Sequence, residues 1–125
     1  MRILGAPDEL AAQGVLEVVV PDLGAALAFY RLLGFSVERE TPTFVTLRWE
    51  DTFLFLAENA KATVAPRWAS LRLVVADVRA IWARVTELGL PIGVPIADRA
   101  YGLRDFTVRD PAGFEIRFAQ VIALG

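Results

Sequence analysis

The stretch that decides the fold is Leu16–Gly34, LEVVVPDLGAALAFYRLLG, because the chain repeats its pattern at Leu71–Gly89, LRLVVADVRAIWARVTELG. When the two stretches are superposed, Asp22 falls on Asp77, the final glycines coincide, and several apolar positions match. Each copy predicts an apolar strand, an aspartate that caps the N-terminus of a helix, and a glycine that ends the helix in left-handed backbone. The chain therefore contains two copies of one strand-and-helix unit.

Three strand-like runs follow each predicted helix. They are Phe35–Glu38, Thr43–Trp49 and Thr52–Glu58 in the first copy, and Ile92–Ile96, Leu103–Arg109 and Phe114–Gln120 in the second. Asp110–Gly113 reads DPAG, which predicts a type I turn with proline second and glycine fourth. The sequence thus predicts an α+β fold in a single domain, residues 1–125, with βαβββ modules at about 14–60 and 68–120 and a linker at 61–67.

Composition narrows the possible functions. The hydrophobic fraction is 55% and the mean hydropathy is +0.46, so the apolar surplus must form a core, a ligand cavity or a subunit interface. No apolar run approaches the roughly 18 residues that span a bilayer, so we expect no membrane association. A net charge of −2 and scattered arginines argue against nucleic acid as a partner. The apolar segment at the N-terminus is too short and is interrupted too early to be a signal peptide, so we expect a cytoplasmic location.

Histidine and cysteine are both absent. Their absence excludes a disulfide framework, a thiol nucleophile and a zinc site built from these residues. It also removes the side chain that most often acts as a general base at neutral pH.

Alternation along the strands separates two faces of the predicted sheet. Leu16, Val18 and Val20 form an apolar face that should lie under a helix, whereas Glu17 belongs to the opposite, mixed face. We expect that mixed face to carry several polar groups among apolar walls: Glu17, Glu58, Ser70, Arg72 and Arg117. Polar groups gathered in an apolar cavity typically orient a small-molecule ligand. The alternative is that they form ion pairs, Glu17 with Arg72 and Glu58 with Arg117, or lie at a solvated rim.

Two motifs carry a family resemblance. Tyr101–Phe118, YGLRDFTVRDPAGFEIRF, resembles the closing motif of the glyoxalase/bleomycin-resistance/extradiol-dioxygenase superfamily, also called vicinal oxygen chelate proteins. Val15–Gly34, with VPDL at 20–23, is similar to the opening motif of that family. The resemblance extends from Val15 to Gln120. It implies two tandem βαβββ modules that form a curved, mostly antiparallel sheet around an open cavity, often in a homodimer.

The same resemblance implies four positions at which family enzymes hold a divalent metal ion with His, Glu or Gln. In this sequence they fall on Val15, Glu58, Ser70 and Arg117. Valine has no ligating atom, neutral serine is a poor ligand, and arginine is a cation. One remaining carboxylate does not make a protein cage for a divalent ion. We therefore expect no metal, no other cofactor and no catalytic residue of the family's metal-dependent type.

The leading functional hypothesis is a metal-free small-molecule binding protein, similar to the bleomycin-resistance proteins, that sequesters an antibiotic. In such proteins aromatic residues hold the ligand, and here Trp49, Trp68 and Tyr101 are the candidates. The alternative for the two tryptophans is packing in the core or at a dimer interface. For Trp82, which lies on the second helix, we expect such packing, in the core or at a dimer interface, rather than a role in ligand binding.

Two other functions stay open. The first is a lyase or isomerase of the glyoxalase or dioxygenase type with an atypical active site, in which Glu58 and Arg117 act without a metal. A carboxylate beside an arginine is a weakened base, which counts against this enzyme. The second is an interaction module whose cavity is filled by its own side chains.

Overall fold

The computed structural model describes residues 14–63 and 69–122. The chain divides into two compact units, Met1–Ala62 and Thr63–Gly125, and the described part of each unit contains one helix and one four-stranded sheet. The predicted α+β class and the two tandem βαβββ modules are confirmed. Most of the predicted linker, from residue 64 onward, lies outside the described residues.

The first unit follows the order β1–α1–β2–β3–β4. Its elements are β1 Leu16–Val20, α1 Leu23–Leu33, β2 Ser36–Glu40, β3 Phe44–Trp49 and β4 Thr52–Glu58. In space the strand order is β1-β4-β3-β2, with β1 parallel to β4 and the other neighbours antiparallel. Short turns join β2 to β3 and β3 to β4, whereas β1 is connected to its parallel partner β4 through α1, β2 and β3. Parallel neighbours need a long connection of this kind.

The second unit repeats this topology. Its elements are β5 Ser70–Val74, α2 Val78–Glu87, β6 Ile92–Asp98, β7 Leu103–Arg109 and β8 Glu115–Val121. The strand order is β5-β8-β7-β6, and β5 is parallel to β8. In the predicted turn between β7 and β8, the N–H of Gly113 donates to the carbonyl of Asp110 at 2.9 Å. The Asp110 carboxylate also accepts the N–H groups of Ala112 and Phe114, which explains why this aspartate is buried.

Both helices begin as the repeat predicts. Asp22 accepts the N–H of Ala25 at 3.1 Å, and Asp77 accepts the N–H of Ala80 at the same distance. Each carboxylate thus satisfies one of the N–H groups that a helix leaves unpaired at its first turn. The chain leaves α1 through Gly34, whose φ of 122° is a conformation that disfavours other residues.

Each sheet has two faces of different character. We call the side that packs under the helix the helix face, and the opposite side the helix-free face. On the helix face of the first unit, five side chains are fully buried: Val20, Val45, Leu47, Leu54 and Leu56. On the helix face of the second unit, Phe106, Val108, Ile116 and Phe118 are fully buried. The half-buried Trp82 of α2 contacts Phe106 at 5.1 Å between ring centroids, so it packs against the core of the second unit, one of the two places expected for it.

Within residues 14–63 and 69–122, no helix is long and apolar enough to cross a membrane.

Candidate functional site

Two arginines lie next to each other on the helix-free face of the second unit. Arg72 on β5 is the register partner of Arg117 on β8, and Arg117 is in turn the partner of Thr107 on β7. Side chains of register partners point to the same side of a sheet. Alternation places them opposite the buried Ile116 and Phe118, so the two guanidinium groups project from the helix-free face.

A hydrogen-bonded network lies one register pair further along the same face. Asp105, the partner of Ala119, is buried with 3% of its surface exposed. Its carboxylate accepts Arg99 Nε at 2.7 Å and the Tyr101 hydroxyl at 2.7 Å. Arg99 also donates through Nη2 to the carbonyl of Pro95 at 2.8 Å. The loop between β6 and β7 is therefore tied to the sheet by one buried carboxylate.

This network changes the acidity of its members. Burial alone would raise the pKa of Asp105, but the hydrogen bonds from Arg99 and Tyr101, with the nearby charge of Arg72, lower it below its usual value. The hydrogen bond to Asp105, followed by burial, raises the pKa of the Tyr101 phenol. At neutral pH the site therefore holds an ionised carboxylate and a protonated phenol.

A second ion pair borders the arginines. Arg109 Nε lies 3.4 Å from the Glu115 carboxylate, with Arg109 on β7 and Glu115 on β8. A Cβ added at Gly93 would lie 3.3 Å from Arg109 Nε and 3.4 Å from the Glu115 carboxylate. A larger residue at this position would press on the ion pair, which gives a physical reason for glycine within β6.

The helix-free face of the second unit has an excess of positive charge. Asp105 pairs with Arg99, and Glu115 pairs with Arg109. Within the described residues of the second unit, Arg117 has no hydrogen bond or ion pair, and Arg72 acts on Asp105 only through longer-range attraction. Ser70 lies at the exposed end of the same face as the register partner of Glu115.

The helix-free face of the first unit is largely aromatic. Glu17 is exposed on β1, and its register partner on β4 is Phe55. Phe55 meets Phe44 edge-on, with ring centroids 5.4 Å apart. The guanidinium carbon of Arg48 lies 5.3 Å from the ring centroid of Phe53, a cation–π contact. In the first unit, the helix-free face therefore carries apolar surface and one carboxylate of the predicted set, Glu17.

Glu58 does not belong to the predicted polar face. Its register partner on β1 is the buried Val20, so it follows the helix face, opposite to Glu17. The Glu58 carboxylate accepts the N–H of Leu23 at 3.0 Å and thereby caps the first turn of α1. The expectation that one face carries both Glu17 and Glu58 is therefore wrong, and Glu58 has a structural role that its position at the strand end allows.

The two candidate tryptophans do not add to the site. Trp49 follows the helix face and contacts Phe35, with ring centroids 5.4 Å apart, and Phe35 contacts Tyr30 of α1 at 5.3 Å. Trp49 thus extends the aromatic core beneath the helix, which corresponds to the alternative weighed for it. Trp68 lies outside the described residues. Tyr101 is the aromatic candidate that the structure places beside the polar network, with 60% of its surface exposed.

Known structures share this fold. A crystal structure of a bleomycin-binding protein complexed with bleomycin has a TM-score of 0.75 and 20% identity, over 87% of this chain and 98% of the other. The bleomycin resistance determinant encoded on transposon Tn5 has a TM-score of 0.77 and 19% identity, over 90% and 99%. Lactoylglutathione lyase from Agrobacterium tumefaciens has a TM-score of 0.65 and 20% identity, over 87% and 94%.

The sequence model of the Glyoxalase/Bleomycin resistance protein/Dioxygenase superfamily matches residues 12–118. The chain therefore belongs to this superfamily, as its two motifs indicated. A comparison with curated proteins gave no significant match. At these identities the similar structures establish the fold of the chain, and its function must be argued from its own residues.

The residues that the resemblance assigns to the family's metal positions do not fit a divalent ion. Arg117 carries a positive charge at one of them, Val15 and Ser70 offer at most a neutral hydroxyl, and the Glu58 carboxylate is bound to the N-terminus of α1. Across residues 14–63 and 69–122, no three acidic side chains come together as a metal site would need. We therefore derive no chemistry through a metal.

The centre of this network was not predicted from the sequence. Asp105 and Arg99 were not among the candidates, although alternation from Arg117 through the β7–β8 turn would have placed Asp105 and Thr107 on the same face. The available signal was an aspartate within the predicted strand Leu103–Arg109, because an aspartate in the middle of a strand is unusual unless it has a partner.

Proposed function

We propose that this protein binds a small organic molecule without a metal ion, and that sequestration of an antibiotic is the purpose of that binding. One observation carries the proposal: Arg117 occupies a family metal position and lies in register with Arg72 on the helix-free face. These guanidinium groups offer donors and positive charge to a ligand where family enzymes place a metal.

The network around Asp105 supports binding rather than proton transfer. Asp105 has a lowered pKa, so it is a poor base, and the Tyr101 phenol has a raised pKa, so it stays protonated at neutral pH. Arg99 and Asp105 hold each other in place. A rigid polar network of this kind lowers the cost of ordering side chains when a ligand binds.

The alternative, a lyase or isomerase with an atypical site, depends on Glu58 acting as a base beside Arg117. Glu58 accepts a hydrogen bond from the backbone of α1 and lies on the helix face of its sheet. The structure thus favours binding over this form of catalysis. Homodimer formation and a cytoplasmic location stay predictions.

A thermal-shift screen tests the proposal, with divalent metals and a panel of aromatic antibiotics that includes bleomycin on one plate. A ligand at about a hundred times its dissociation constant adds roughly 2.7 kcal/mol, a shift of several degrees for a chain of this size. We expect a shift with at least one antibiotic and none with metals.

Glu58→Gln is the matched control for the metal arm. It removes the one carboxylate at the four metal positions but keeps an oxygen that can accept the N–H of Leu23. A metal-induced shift that is present in the natural protein and absent in Glu58→Gln would overturn the metal-free proposal.

A further inference from the structure

The arrangement of Arg72 and Arg117 is electrostatically unfavourable by itself. Like charges on adjacent strands repel when their side chains lie directly beside each other. Arg72 and Arg117 are register partners on parallel strands, on one face of one sheet. Such an arrangement becomes favourable when a negative charge lies between the two guanidinium groups.

The carboxylates of this face do not supply that charge. Glu115 lies 3.4 Å from Arg109, and Asp105 is bound to Arg99 at 2.7 Å and to Tyr101 at 2.7 Å. Asp105 is buried, and its two carboxylate oxygens each have a hydrogen-bond donor. The neighbouring acids are thus already engaged with other partners, which leaves the charge of Arg117 in particular uncompensated among the described residues of the second unit.

We propose that Arg72 and Arg117 form a binding site for the acidic group of a small organic anion, a carboxylate, phosphate or phosphonate. This inference rests on the proposed binding function and specifies the chemical class of its ligand. Two guanidinium groups side by side can each direct a pair of N–H donors at one planar or tetrahedral acid.

Tyr101 makes an organic ligand more suitable than a bare inorganic ion. Its hydroxyl is anchored to Asp105, which lies one register pair from Arg117 on the same face. Tyr101 is 60% exposed, so its ring presents apolar surface on the same side of the sheet as the arginines. An aromatic or otherwise apolar body attached to the acid can pack on that ring.

The experiment measures binding of four small aromatic probes to the full chain by two-dimensional NMR, with resonances of the arginine Nε–H groups included. Phenyl phosphate and benzoate carry the two kinds of acid, benzyl alcohol is neutral, and benzylamine is a cation. We expect both anions to shift the Nε–H signals of Arg72 and Arg117, with affinities that fall as salt is raised.

Arg117→Gln removes one guanidinium group, and Arg117→Lys keeps the charge but loses the planar pair of donors. We expect Arg117→Gln to weaken phenyl phosphate binding about ten- to a hundredfold, because charge-assisted hydrogen bonds are lost. The affinity of Arg117→Lys should lie between those of the natural protein and Arg117→Gln. Arg79→Gln is the matched control, because it removes the same charge from the exposed surface of α2 and should change affinity less than about twofold.

The outcomes separate this inference from the broader proposal. The anion site is wrong if benzyl alcohol, benzylamine or a cationic antibiotic binds as tightly as the anions. It is also wrong if Arg117→Gln is folded, as its spectrum would show, and binds phenyl phosphate within twofold of the natural protein. In either case the proposed binding function stands. If no probe and no antibiotic binds, the proposed function itself fails. Preference for phenyl phosphate over benzoate, or the reverse, identifies which acid the site serves.

Discussion

The two units have the same strand order and register but different side chains on the helix-free face. In the first unit, one row across the helix-free face reads Glu17, Phe55 and Thr46; in the second, the corresponding row reads Arg72, Arg117 and Thr107. In the next row Phe44 of the first unit corresponds to Asp105 of the second. The parallel pairing and the register are the same, so the frame does not dictate the chemistry of this face.

The two units also differ in how far their helices are buried. Helix α1 buries six residues: Leu23, Ala26, Leu27, Phe29, Tyr30 and Leu33. Helix α2 buries two, Val78 and Val85. The first unit therefore relies more on packing between helix and sheet, whereas the second has its polar network on the opposite, helix-free face.

The largest expected effect tests this difference in packing with a matched pair. Leu33 and Leu88 occupy the same place in the repeat, but Leu33 is 1% exposed and Leu88 is 43% exposed. Leu33→Ala should lower the free energy of unfolding by about 3 kcal/mol, because it leaves a cavity under α1. Leu88→Ala should change it by less than about 0.5 kcal/mol. Urea unfolding monitored by circular dichroism measures both, and equal losses would contradict the packing difference.

The second effect concerns the buried carboxylate of Asp105, at the position where the first unit has Phe44. Because the pKa of Asp105 in the folded protein is below its unfolded value of about 3.9, its contribution to stability is present above that value and is lost as pH falls through the folded pKa. Asp105→Asn should cost about 1.5–3 kcal/mol at pH 7, since hydrogen bonds to a charged acceptor are weakened. The cost should shrink as the pH falls below about 4.

Urea unfolding between pH 7 and pH 2.5 checks this dependence. Asp51→Asn, at the exposed turn between β3 and β4, makes the same change of net charge and serves as the control. A difference between Asp105→Asn and the natural protein that stays constant down to the lowest pH would show that the network does not depend on an ionised Asp105.

The sequence could predict much of this frame and less of the site. Thr52–Glu58 and Leu103–Arg109 form strands with the predicted bounds, because alternating β-branched and aromatic residues between turn signals specify a strand locally. The register between β5 and β8 depends on packing between segments far apart in the chain. The pairing of Arg72 with Arg117 therefore could not be predicted from the sequence of either strand. The face on which Glu58 lies was predicted wrongly because both faces of β4 are apolar, so alternation alone does not tell which of them packs under the helix.

The smallest effect concerns a feature that both units share with different chemistry. Glu58 accepts the N–H of Leu23 at 3.0 Å, and Gln120 accepts the N–H of Val78 at 3.0 Å, each at the end of the last strand of its unit. Glu58→Ala and Gln120→Ala should each cost about 1 kcal/mol, the contribution of one hydrogen bond to a helix N-terminus.

Exchange of the two side chains separates the hydrogen bond from the charge. Glu58→Gln keeps the acceptor oxygen, as Gln120 shows in the second unit, so it should cost less than about 0.5 kcal/mol. If Glu58→Gln costs as much as Glu58→Ala, the negative charge beside the positive end of α1 is what stabilises the first unit, and that cost should then decrease at high salt. Urea unfolding at low and high ionic strength distinguishes the two results. A small cost that does not depend on salt would mean that the units share one capping device and that the difference between them lies in their helix-free faces and in how far their helices are buried.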